Sequence, residues 1–106
     1  MIHISELELK SYSYPLTEPD QQMALASETD SGRIQHGVWQ SGPGELNLHF
    51  QWIETAFILD GRAEIENLDT GEKFTLVTGS MMTFERGSRW QWRIPWKLKK
   101  IFTILD

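Results

Sequence analysis

The sequence predicts an all-β domain, a sandwich or barrel with at most one short helical turn. Apolar and polar residues alternate in short runs, which is the period of a half-buried strand. The runs are separated by Gly, Pro and Asp-rich breaks, and eight or nine of them follow one another at close spacing. One hundred and six residues form one core, so the chain reads as a single domain over 1–106. Within it, residues 1–32 are an N-terminal strand and a long connection, and residues 33–105 are the barrel core. Forty per cent apolar and 24% charged residues is a globular balance. The apolar runs, such as Ala56 to Leu59, are too short for a membrane span, so no membrane partner is expected. The acidic first twenty residues lack a signal-peptide core, which makes a cytoplasmic location the expectation. The absence of cysteine excludes disulfides, thiolate metal sites and cysteine nucleophiles.

Taken in order, Ile2–Leu9 alternates like a strand. Residues 12–31 are rich in Pro, Asp, Ser and Thr and read as a connection. Inside it Thr17-Glu18-Pro19-Asp20 carries an N-cap hydroxyl with an acid three residues on, so Gln21–Ala26 is expected to make one helical turn. The expected strands are then Ile34–Gln40, Leu46–Phe50, Glu54–Leu59, Arg62–Leu68, Lys73–Val77, Met81–Phe84, Arg89–Ile94 and Leu98–Leu105.

Charge is uneven along the chain. Residues 1–85 hold four basic side chains against fourteen acidic ones, a net −10, whereas residues 86–106 hold six against one, a net +5. Trp90, Trp92 and Trp96 interleave with these basic residues, a combination found where proteins stack on bases. Strand alternation splits the basic residues between two faces, and the whole chain is at −5, so no nucleic-acid partner is expected.

Asp60-Gly61 between two apolar runs predicts a hairpin with a two-residue type I′ turn. That register pairs Ile58 with Ala63, Ala56 with Ile65 and Glu54 with Asn67. One face then carries Ala56, Ile58, Ala63 and Ile65, with Glu54 and Asn67 at its end. It is the more apolar face and therefore the core side. A carboxylate there must be paired, hydrogen-bonded or protonated.

Gly37-Val38-Trp39-Gln40, Pro43-Gly44, Glu54-Thr55 leading to Gly61, Gly79 with Gly87, and Trp90-Gln91-Trp92-Arg93-Ile94-Pro95 occur in an order that resembles the cupin superfamily. More specifically, residues 37–105 resemble the small single-domain cupins of the ethanolamine-utilisation and ureidoglycine aminohydrolase group. It implies a small antiparallel jelly-roll barrel. Metal-binding cupins place two histidines and a glutamate in the first motif and a third histidine in the second. Here His49 and Glu54 are present, Gln51 stands where the second histidine would be, and Trp90 takes the place of the last. Glu85 replaces a proline and Ser80 an aspartate common in relatives. Two ligands do not make an iron or manganese site, so no metal and no other cofactor is expected; were a metal bound, His49 and Glu54 would hold it.

The expected function is binding of a small polar metabolite in the barrel without a metal, with Glu54 as anchor. His49, Gln51, Asn67, Trp39, Trp90 and Trp92 are the other candidate ligand-binding residues. Trp90 and Trp92 share a strand face and so should share one role, pocket wall or core filler. An enzyme using Glu54 as catalytic acid/base is the alternative, and a filled structural module a third. No Gly-x-Ser-x-Gly elbow, phosphate loop or dinucleotide fingerprint is present. A homodimer is also expected, because Ile2–Leu9 is separated from the barrel by a long connection and needs an edge to pair with. Glu54→Gln is expected to spare stability while abolishing ligand binding, as for an anchor left partly unpaired in the free protein.

Overall fold

A computed structural model describes residues 7–11 and 19–106. Among the described residues, nine antiparallel strands curl into a small barrel: β1 (Lys10–Ser11), β2 (Gln21–Glu28), β3 (Ile34–Ser41), β4 (Gly44–His49), β5 (Ile53–Asn67), β6 (Lys73–Val77), β7 (Met81–Phe84), β8 (Arg89–Ile94) and β9 (Leu98–Leu105). One face runs β1-β2-β3-β9-β5-β7 and the other β4-β8-β5-β6. No helix occurs among the described residues, so none there is long and apolar enough to cross a membrane.

Two expectations are corrected. Gln21–Ala26 is strand: it pairs with β3 from Gln21↔Ser41 to Leu25↔Gly37. The capping signal before it was local, and the ladder to β3 overrides it. The second correction is larger. Asp60-Gly61 is no hairpin, because β5 continues straight through it as one fifteen-residue strand. Its first half pairs with β7 and β9, and its second half with β6 and β8, so β5 is the strand that turns the corner between the two faces. The bend is a bulge between Ile58 and Asp60 against β9, followed by Gly61 at φ 97°. A Cβ on Gly61 would lie 2.1 Å from the Lys97 carbonyl oxygen, so only glycine allows this crossing.

The extra residue of the bulge flips the alternation once, as the two-residue turn would have done. Ala56, Ile58, Ala63, Ile65 and Glu54 are therefore all buried. Asn67 ends up at the other end of the strand from Glu54, where its Oδ1 accepts from the backbone N–H groups of Asp69 and Thr70.

Of the expected first strand, Ile2–Glu6 lies outside the described residues and Leu7–Leu9 is not strand. Lys10 and Ser11 pair with Met23 and Gln22 of the same chain.

Candidate functional site

The inner positions of β9 alternate as Leu98, Lys100, Phe102 and Ile104, all buried or partly buried. A lysine thus stands on the core side, directly across from Trp39 of β3 and Ile58 of β5. Glu54 stands on the same inner face of β5, four residues before Ile58, which is about 13 Å along an extended strand. Both side chains must reach toward one another, and the small Ala56 between them leaves the room. They meet: Lys100 Nζ donates to Glu54 Oε2 at 2.6 Å, with 7% of each side chain exposed. It is the only ion pair among the described residues with both partners buried.

Aromatic rings complete the environment. The ammonium lies 5.0 Å from the Trp39 ring centroid and 4.8 Å from that of Trp92, so two quadrupole faces share its charge. The two rings meet edge to face at 6.4 Å. Trp39 is fixed from behind, its indole N–H donating to Gln21 Oε1 at 2.9 Å. Trp52, at the rim, points its indole N–H at Glu54 Oε1 over a long 3.5 Å. Gly37 lets the Phe102 ring lie across β3, since a Cβ there would come within 2.7 Å of the ring.

These residues floor a cavity of about 220 Å³ whose walls include Met23, Leu48, Phe50, Trp52 and Ile104. It holds on the order of seven water molecules' worth of liquid. Besides Glu54 and Lys100, its lining includes the polar side chains of His49 and Gln21. A wider depression of about 780 Å³ lies on the outer face, over Asp60, Lys97, Lys99, Gln22 and Gln40. Four of its polar groups are paired with one another, Lys97 with Asp60 at 2.7 Å and Gln40 with Gln22 at 2.6 Å. Its walls are mostly polar and carry no aromatic ring, unlike those of the inner site.

The structure brings Glu54, His49, Trp39 and Trp92 to one cavity and leaves three candidates out. Gln51 is exposed, and its backbone carbonyl accepts from Arg86 Nη1 at 2.9 Å. Asn67 caps its turn. Trp90 is buried against Phe84, 5.1 Å between centroids, and against Phe74. Trp90 and Trp92 both point inward and both belong to the buried core, Trp92 with no exposed surface, and Trp92 in addition lines the cavity. The sequence reading missed Lys100. Its position in the alternation of Leu98, Phe102 and Ile104 was the available signal.

The residues present do not fit a metal. Among the described residues no three His, Cys, Asp or Glu side chains converge. One oxygen of Glu54 is already taken by an ammonium, a cation in direct competition with any metal.

A family model for the EutQ-like cupin domain matches residues 28–102. A search of curated proteins finds no match. Among solved structures, the Clostridium difficile EutQ protein superposes with a TM-score of 0.84 at 14% identity, over 100% of this chain and 86% of its own. A predicted oxalate decarboxylase from Thermotoga maritima gives 0.77 at 14% identity, over 99% and 97%. A DUF861 family protein from the same organism gives 0.61 at 26% identity, over 64% and 76%. Fold, motif order and family model agree: this chain belongs to the EutQ-like cupin family.

Proposed function

We propose that this cupin binds a small polar metabolite in the barrel mouth without a metal, and that the Lys100–Glu54 pair is its anchor. The single observation that supports this reading is a buried ion pair on the floor of an otherwise apolar cavity. An ammonium has three N–H donors, and Glu54 takes one. Lys100 lines the cavity, so an ester, amide or carbonyl oxygen bound there would accept from a further donor. Glu54 keeps lone pairs for a hydroxyl or amine on the same ligand. The aromatic and aliphatic walls take its carbon skeleton. The neighbours named EutQ and predicted oxalate decarboxylase share the fold, and one fold hosts unrelated chemistries, so neither supplies the ligand.

A thermal-shift screen against small hydroxy, amino and carbonyl compounds tests the reading, because a ligand of the native state alone raises its melting temperature. Shifts seen with wild type and lost in Lys100→Met and Glu54→Gln support it. A hit that shifts all three proteins equally binds elsewhere and overturns it. Glu54 is paired in the free protein, so Glu54→Gln should now destabilise by about 1–3 kcal/mol through loss of a charged hydrogen bond, not leave stability untouched.

A further inference from the structure

We infer that Lys100 is a reactive amine that forms a reversible imine with the aldehyde or ketone group of a small ligand. The inference rests on the proposed binding role of the same cavity and adds a bond to it. Four observations point there. Lys100 Nζ is buried yet lines the cavity, so a carbonyl carbon that enters meets it. A carboxylate lies 2.6 Å from it, in place to take a proton from the ammonium and free the lone pair. The walls are mostly apolar, so they pack against the carbon skeleton of a ligand bonded there. Two indole faces lie 4.8 and 5.0 Å from the nitrogen, and they attract an iminium as they attract the ammonium.

The step balances within the site. Glu54 takes a proton from the Lys100 ammonium. The freed amine attacks the carbonyl carbon, a C–N bond forms and the C=O π pair moves to oxygen. The added nitrogen loses a proton to the new alkoxide, giving a neutral carbinolamine. Protonated Glu54 returns its proton to the departing hydroxyl, the C–O bond breaks and water leaves. The product is a protonated imine paired with the Glu54 carboxylate, so the charge of the site is unchanged and no redox partner is involved. Lys97 and Lys99, adjacent in sequence, are internal controls of two kinds. Lys97 has a carboxylate, Asp60, at 2.7 Å but on the exposed surface and outside the cavity, and Lys99 forms no ion pair among the described residues.

The experiment treats the whole chain with butanal or benzaldehyde and cyanoborohydride at neutral pH and follows each lysine by peptide mass spectrometry. Both probes have about the number of non-hydrogen atoms that the cavity holds. Lys100 should be alkylated at least ten-fold faster than Lys97 and Lys99, and the difference should vanish in urea. Glu54→Gln should slow Lys100 at least ten-fold while leaving the two controls alone. The wild-type ratio stands by itself should that variant fail to fold. Labelling of Lys100 no faster than the controls overturns the imine. Benzyl alcohol, similar in size but unable to form an imine, separates the two readings. A melting shift with the alcohol and no selective labelling removes the imine and keeps the cavity as a binding site. No shift and no labelling with either probe removes both.

Discussion

The two halves of the barrel interior are built by the same alternation and end in opposite states. Around the second half of β5, β6 and β8 the inner residues include Ala63, Ile65, Leu76 and Trp90, which belong to the buried apolar core and do not line the cavity. Phe84 has no exposed surface and touches Phe50, Trp90 and Trp92 at centroid distances of 4.9, 5.1 and 5.4 Å. Around β3, β9 and the first half of β5 the inner residues are Trp39, Lys100 and Glu54, and a cavity remains. Strand periodicity decides which residues point inward. Side-chain chemistry decides whether they close the space or leave it. Two charges that must be solvated by each other and by ring faces cannot pack as densely as interlocking hydrocarbons.

The sharpest break of this contrast is at Phe84 of β7, which pairs with Glu54 in the β5–β7 ladder and packs between the filled half and the cavity wall. Phe84→Ala should cost about 3–5 kcal/mol in a urea melt, the range for deleting a buried aromatic ring. Benzyl alcohol should still raise the melting temperature of the folded variant, because Phe84 does not line the cavity. In the open half, Lys100→Met or Glu54→Leu alone should cost a similar 3–5 kcal/mol, since each strands one buried charge. The double variant should recover most of that loss, or exceed wild type, while no longer binding any ligand found for wild type. Recovery without binding would show that the pair is kept for the site and not for stability. A double variant as unstable as the singles would show the reverse.

The corner between the halves gives a third test. Gly61→Ala meets both a left-handed φ of 97° and the Lys97 backbone, and should lose at least about 2 kcal/mol. Gly42→Ala, where an added Cβ meets nothing within 4 Å, should change stability little. Equal effects at both positions would remove the close crossing as the reason for Gly61.

The smallest expected effect is at the exposed Asp69. Arg89 holds its carboxyl below the ordinary 3.8 by hydrogen bonding and by charge. A depressed carboxyl stabilises the fold above its unfolded value and loses that contribution as pH falls through the folded one. The stability difference between wild type and Asp69→Asn should therefore be present at neutral pH and fade below pH 4. The exposure of both partners keeps it small, since solvent screens the pair. A difference that persists unchanged at pH 2 would mean that Asp69 acts through something other than its charge.

The hairpin reading of Asp60-Gly61 shows how a correct inner face followed from an incorrect topology. Turn and bulge each insert one change of phase, so Ala56, Ile58, Ala63 and Ile65 fall on the core side under both. Local sequence reports phase well and connectivity poorly. Asn67 shows the consequence, because the hairpin places it across from Glu54 and the continuous strand places it at the far end.

From its sequence alone, this protein's all-β class, its strands from Lys73 to Leu105, the inward set of β5 and the prominence of Glu54 were determined. These follow from a period of two residues and from the breaks between runs, and neighbours along the chain carry both. Only the tertiary structure decided that β5 crosses the barrel, that Lys100 of β9 meets Glu54, and that of three buried tryptophans Trp39 and Trp92 border the cavity and Trp90 does not. Each of those depends on which strands lie side by side and in what register. A pair 46 residues apart in sequence becomes a 2.6 Å contact only after the β5–β9 ladder has closed.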